Sequence, residues 1–152
     1  MVAATWASVE TLFQAVASPT AEVSYIFGGW VLDLFPRGVG IEFRADLLGA
    51  LIALVVVGVG LIVSMYAKLP VEKETPKKEA LYYPLFLLQI TGLAGIALTG
   101  DAFNLYVLIE VAALTGYGLI AIGSNRAAAA TFNYLILGTI GASLYLLGVG
   151  YV

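Results

Sequence analysis

The chain has no cysteine and no histidine in its 152 residues. Without cysteine there is no disulfide framework, no thiolate metal site and no redox pair. Without histidine it lacks the commonest metal ligand and the side chain that titrates near neutral pH. These absences argue against a catalytic metal or haem site, so no metal ligands, no cofactor and no catalytic residue are expected. Charge is scarce as well, at 11% of residues, with seven Lys and Arg against ten Asp and Glu. That leaves no basic face for a nucleic acid. Residues 1–18 carry no basic n-region and no small-residue cleavage site, so they do not read as a signal peptide.

Apolar residues fill the space that charge leaves. They make up 61% of the chain, and the mean hydropathy is +0.99. Such a composition lies outside the soluble globular range and indicates an integral membrane protein. The expected fold is an all-α membrane bundle of about four spanning helices, with an N-terminal amphipathic helix and a small β-hairpin outside the bilayer. Residues 1–18 form the amphipathic or partial membrane helix, because Val2, Trp6, Val9, Phe13 and Val16 line one side and Glu10, Thr11, Gln14 and Ser18 the other. Residues 19–46 form the hairpin: VSYIF, WVLDLF and VGIEF are β-branched and aromatic, with turn signals at Gly28-Gly29 and Pro36-Arg37-Gly38.

The membrane bundle then occupies 47–152, with helices at about 47–67, 81–98, 102–122 and 127–152. Asp46 is placed to cap the first of them. Pro70 and Pro76 are expected to keep the 68–79 loop from continuing that helix, and Pro84 falls near the start of the next. Gly100-Asp101 makes a minimal turn, so the second and third spans form a tight antiparallel pair. Gly92, Gly95, Gly138 and Gly141 read as helix-packing positions, since small residues let backbones approach in lipid. Lys68, Lys73, Lys77, Lys78 and Arg126 fall on one side, opposite Arg37, Arg44, Asp101 and the hairpin. By the positive-inside rule, the 68–79 loop is cytoplasmic in a multi-pass protein of the prokaryotic inner membrane.

One residue contradicts this apolar setting. Glu110 lies near the middle of TGDAFNLYVLIEVAALTGYGLI. A charged side chain at the centre of a spanning helix costs about 2.5–3.5 kcal/mol on insertion scales and is a functional residue by default. At helical spacing, Phe103, Tyr106, Glu110, Ala113 and Tyr117 share a stripe, so two phenols flank the carboxylate. Each is also explained by packing alone. Gln89 and Asn133 are further polar groups at depth, Gln89 reading first as interhelical glue. Asp101 reads as ending a helix or sitting at an outer mouth before it reads as a proton carrier. A neutral, hydrogen-bonded Glu110 with no transport role is the competing structural reading.

The same stretches resemble a known family. TGDAFNLYVLIEVAALTGYGLIAIG, preceded by YYPLFLLQITGLAGIAL and followed by FNYLILGTIGASLYLLGVGY, looks like the central part of the antiporter-like subunits. These are the ion-translocating membrane subunits of respiratory complex I, Mrp-type sodium/proton antiporters and membrane-bound hydrogenases. TGDAFNLYVLIE looks most like the D-type Mrp subunit and its hydrogenase counterpart. GGW and GIEFRADLLGAL resemble the hairpin leading into the family's third helix. The resemblance runs over about residues 28–152 and corresponds to the third-to-sixth-helix portion. It implies that Glu110 matches the glutamate of the fifth helix, which works with a lysine on the seventh along a hydrated axis of polar residues.

That resemblance also implies what the chain lacks. Family subunits are longer and built from two inverted repeats. Every Lys here lies at 68–78, out of reach of Glu110 at depth. One expectation is therefore a split subunit, with a partner chain in a multisubunit complex supplying the seventh-helix lysine and later helices. The expected function is part of a proton-translocating, or sodium/proton-translocating, module with Glu110 as its carboxylate. The chain would be at most a non-catalytic subunit of a redox-driven ion pump. The alternatives are a truncated homologue acting as a structural or assembly subunit, and a homo-oligomeric channel with a Glu110 ring.

Overall fold

The computed structural model describes residues 1–18, 22–30, 39–74, 78–123 and 127–151. Its elements run α1 (Val2–Ala17), β1 (Glu22–Trp30), β2 (Val39–Asp46), α2 (Leu47–Glu74), α3 (Glu79–Leu98), α4 (Ala102–Ala121) and α5 (Ala127–Gly150). The last four helices are each long and apolar enough to cross a membrane. In lipid a helix satisfies its own backbone groups, which is why uninterrupted apolar runs of this length take that form. The fold is thus an all-α membrane bundle with one small antiparallel hairpin.

β1 and β2 pair from Glu22↔Asp46 to Phe27↔Ile41, with an irregular step before Trp30↔Val39. Gly28-Gly29 is therefore not a turn. It lies within β1 at the register irregularity, where an extra, side-chain-free residue can be absorbed as a bulge. The expected turn at Pro36-Arg37-Gly38 and most of WVLDLF lie outside the described residues. At the open end of the hairpin the Arg44 guanidinium donates to the Glu22 carboxylate, with Nε 2.9 Å from Oε2. This hydrogen bond and the adjacent negative charge raise the Arg44 pKa further above its already high ordinary value. Both groups are solvated, so the pair adds little stability.

Asp46 ends β2 and starts α2, its Oδ1 accepting the Gly49 N–H at 2.6 Å. α2 does not stop where the sequence suggested. It passes through Pro70 and ends at Glu74. Pro70 removes the hydrogen bond its N–H would make to the Tyr66 carbonyl. The final turn is nonetheless held by packing, because Ala67 and Val71 on its inner face are buried. Likewise α3 begins at Glu79, so Pro84 sits well inside the helix and deletes one of its hydrogen bonds.

The helices pack in chain order, α1 on α2, α2 on α3, α3 on α4 and α4 on α5. α1 presents only Ala15 as a buried residue, while Val2, Trp6, Phe13 and Val16 face outward. Its apolar stripe thus points away from the bundle, available to lipid or to another subunit. α5 buries no residue at all.

Gly49 and Gly58 separate close packing from mere flexibility. A methyl on Gly49 would run into the Ala97 carbonyl oxygen of α3, whereas one on Gly58 meets nothing within 4 Å. Gly49→Ala should therefore lower the stability of the detergent-solubilised protein by about 1–3 kcal/mol, as overpacking does. Gly58→Ala should leave it unchanged or raise it. Thermal unfolding of the two variants side by side checks this, and equal midpoints would refute the α2–α3 contact.

Candidate functional site

The helix that carries Glu110 is fixed at its start by an N-cap. Asp101 accepts from the Phe103 N–H (3.1 Å) and the Asn104 N–H (3.3 Å). The Asn104 amide donates to Thr99 Oγ1 at 2.9 Å. The turn between α3 and α4 is itself docked on the hairpin. Gly100 N–H donates to the Glu42 carbonyl at 2.9 Å, and Phe43 forms a bridge with Thr99. At the opposite end Lys78 Nζ donates to the Ile122 carbonyl at 3.1 Å, beyond the last turn of α4. A cation there also suits the negative end of the helix dipole.

Two contacts set the rotation of α4 against α3. Gly92 lies so close to α4 that a Cβ on it would stand 3.1 Å from the Ala112 nitrogen, and one on Gly95 would stand 2.7 Å from Leu108 Cδ2. Between the same helices, Thr115 Oγ1 donates to Gln89 Oε1 at 2.8 Å. Gln89 thus serves as glue between α3 and α4. Its partner Thr115 is only 4% exposed and was not evident from the sequence, because a membrane threonine can satisfy itself on its own helix. The Val111 and Ala112 carbonyls also lie 2.8 and 3.0 Å from its Oγ1, so the one hydroxyl proton is shared between the Gln89 amide oxygen and its own helix.

With that face turned to α3, the stripe bearing Glu110 turns to α5. Tyr106 stacks on Tyr145, ring centroids 6.5 Å apart and planes 5° from parallel. The Tyr117 phenol occupies the notch that the missing side chain of Gly138 leaves. These two contacts bracket Glu110 along the α4–α5 seam. Glu110 is half-buried, and its carboxylate forms no hydrogen bond or ion pair with any described residue. Neither tyrosine is bonded to it; Tyr145 Oη instead donates to the Ala102 carbonyl at 3.1 Å. Asn133 is exposed on α5, away from any described partner. Gly141 faces open space, with nothing within 4 Å of a Cβ. Of the residues singled out in the sequence, then, Tyr106, Glu110, Tyr117 and Gly138 come together on one seam. Gln89, Gly92 and Gly95 lie on the other side of α4, and Asp101 lies at its start.

A bundle of spanning helices with a lone, half-buried carboxylate on an inner seam defines a multi-pass membrane protein segment. No family model matches the chain. It is 42% identical over 128 residues to the NADH-quinone oxidoreductase N subunit of Desulforudis audaxviator, covering 84% of this chain and 25% of that protein. It is 29% identical over 126 residues to the Na(+)/H(+) antiporter D subunit of Bacillus subtilis, covering 82% and 24%. The structure superposes with a TM-score of 0.80 and 30% identity on a chain of the membrane-bound sulfane sulfur reductase, an archaeal respiratory membrane complex, over 97% of this chain and 29% of that one. Over this length the chain is similar to these antiporter-like membrane subunits. It spans about a quarter of the length of the curated relatives it matches, and its identity is higher with that oxidoreductase subunit than with that antiporter subunit.

Thr115→Val should leave the Gln89 amide without its partner and destabilise the α3–α4 pair by about 0.6–1.7 kcal/mol, the range for hydrogen bonds between membrane helices. Adding Gln89→Leu should recover part of that loss. A double-mutant cycle of unfolding in detergent checks the coupling, and strictly additive effects would remove it.

Proposed function

We propose that this chain is a segment of the proton-translocating, or sodium/proton-translocating, module of a multisubunit membrane complex, with Glu110 as the carboxylate that carries the exchangeable charge. The observation behind this reading is the unpaired, half-buried Glu110 on the α4–α5 seam. A structural carboxylate at this depth would be expected to find a fixed hydrogen-bond donor. Glu110 has two phenols on its own stripe and uses neither. A charge there needs a cation brought to it from outside these residues, since Lys68, Lys73 and Lys78 all belong to one end of the bundle. A lysine on a later helix, from further chain or from a partner subunit, would meet that need. The helical seam can hold a proton on Glu110, exchange it with water or a neighbouring base, and feel the arrival of that cation. Relatives named as an antiporter subunit and an oxidoreductase subunit support the same reading.

Glu110→Gln keeps the shape and hydrogen-bonding capacity of the side chain and removes its charge. In the assembled complex it should reduce ion transport into inverted membrane vesicles by about a hundredfold or more, the lower side of what positioned proton-transfer groups contribute. Subunit composition should be unchanged. Normal transport by an intact Glu110→Gln complex would sink the reading and leave a structural subunit in its place.

The orientation follows from charge. The α2–α3 connection and the C-terminal end of α4 face the cytoplasm, and the hairpin faces outward, in a prokaryotic inner membrane. Because the chain has no cysteine, Glu72→Cys provides a single thiol on the exposed last turn of α2. An impermeant maleimide should label it in inverted vesicles and not in intact cells. Labelling in intact cells would reverse the topology.

A further inference from the structure

At the end of the bundle away from the hairpin, α2, α3 and α4 leave an open cleft of about 290 Å³ between them. Its walls are Val63, Ala67 and Val71 of α2, Tyr82 of α3, and Leu119 and Ile122 of α4. From Val63 to Val71, eight residues along α2, the cleft runs roughly 12 Å. Half the hydrocarbon core of a bilayer is about 15 Å deep, so a chain lying in the cleft stays within one leaflet.

The size and lining of the cleft select what can fill it. One turn of α-helix occupies about 400 Å³ at a 10 Å diameter and 5.4 Å pitch. A neighbouring helix can therefore lie over this cleft but cannot fill it, whereas a single alkyl chain can. The aromatic wall is held in place. Tyr82 stacks on Phe86, ring centroids 5.8 Å apart and planes 8° from parallel, and meets Tyr83 edge-on at 5.4 Å. The Tyr82 hydroxyl forms no hydrogen bond with any described residue and is able to donate to an ester carbonyl.

The charge sits at the mouth. Lys78 Nζ donates to the Ile122 carbonyl at 3.1 Å, which places an ammonium against a residue of the cleft wall. An ammonium has three donors, and no described carboxylate forms an ion pair with this one. Lys68 and Lys73 are exposed on the last turns of α2, where Glu72 lies between them in sequence, and Glu79 opens α3. Lys77 and Arg126 belong by sequence to the two connections at this end, and so does Glu74 beside them. Positive groups thus prevail there. Basic pockets between membrane helices bind anionic lipid head groups.

We propose that this cleft binds one acyl chain of an anionic phospholipid, whose head group is held at the mouth by Lys78. The lipid fills the space between the end of α2 and the end of α4, two helices that are not neighbours in the packing order. Neither the site nor its test depends on Glu110.

The test uses the assembled complex in phosphatidylcholine vesicles doped with a photoreactive lipid that carries a diazirine on one acyl chain. The doped lipid is either phosphatidylglycerol or phosphatidylcholine, and insertion is mapped by peptide mass relative to the total labelling of the complex. Leu119 and Ile122 should be labelled by the phosphatidylglycerol at least about fivefold more than by the phosphatidylcholine, the factor carried by one lysine near an anionic lipid surface. Lys78→Gln should cut that preference by about fivefold on the same basis. Val63→Trp fills the cleft and should remove labelling of Leu119 and Ile122 by both lipids. Should Val63→Trp fail to assemble, Lys78→Gln decides alone, since it leaves the cleft wall intact. Equal labelling by the two lipids in wild type would mean bulk bilayer contact only and would overturn the proposal. Absence of labelling at Leu119 and Ile122 would also overturn it, because a protein segment then covers the cleft. A preference that survives Lys78→Gln, or labelling that survives Val63→Trp, would do the same.

Discussion

The close approach of α3 and α4 is the contact on which the rest of the bundle depends. Gly92 meets the Ala112 backbone, and Gly95 receives Leu108. In lipid no hydrophobic effect pulls two apolar helices together, so contact area and interhelical hydrogen bonds must do it. Small residues supply the first and Gln89–Thr115 the second. A side chain on Gly92 would push the helices apart and lengthen the 2.8 Å hydrogen bond between them. More importantly, it would release the rotation of α4. The face occupied by Ala112 and Thr115 determines where Glu110 points, because residues on one helix turn together.

The hairpin extends that constraint beyond the bundle. The tight Thr99–Gly100–Asp101 turn leaves little freedom to its backbone groups, and β2 takes up the Gly100 N–H through the Glu42 carbonyl. Gly100 fits because a Cβ there would stand 3.1 Å from Arg44 Cβ. Asp101 then caps α4, and Asp46 at the other end of the same strand caps α2. Two helix N-termini are thus tied to a single strand. The hairpin positions the ends of the spanning helices instead of standing apart from them.

Much of this was legible in the sequence, and the failures have particular causes. Spans were readable because lipid demands long apolar runs, and Glu110 was conspicuous for violating one. Asp46 announced a helix start, being a good N-cap just ahead of an apolar run, whereas Asp101, read as ending a helix or sitting at an outer mouth, caps the start of α4. Pro70 misled, because its cost is local while the burial of Ala67 and Val71 that outweighs it is tertiary. Gly28-Gly29 misled because a glycine pair serves a bulge as readily as a turn. Thr115 escaped notice because its side chain is unremarkable on its own helix, and only the facing Gln89 carbonyl gives it a task. No spacing rule within one helix reveals a partner on the next.

Glu110 and Gln89 show two ways in which a membrane helix can hold a polar group, and the difference is one of magnitude. An amide at depth needs one good interhelical hydrogen bond, worth about 0.6–1.7 kcal/mol, and Gln89 has it. Once made, that bond has no reason to break, so it works as a lock. An ionised carboxylate carries an insertion cost of several times that, about 2.5–3.5 kcal/mol by analogy with aspartate, and no neutral neighbour offsets it fully. Within these residues Glu110 is offered nothing permanent. On the proposed reading, a cation brought to Glu110 from outside these residues is what would offset its charge. A permanent ion pair would have locked this seam as Gln89 locks the other. The absence of one among the described residues is what the proposed role of Glu110 in moving charge through a bilayer would require.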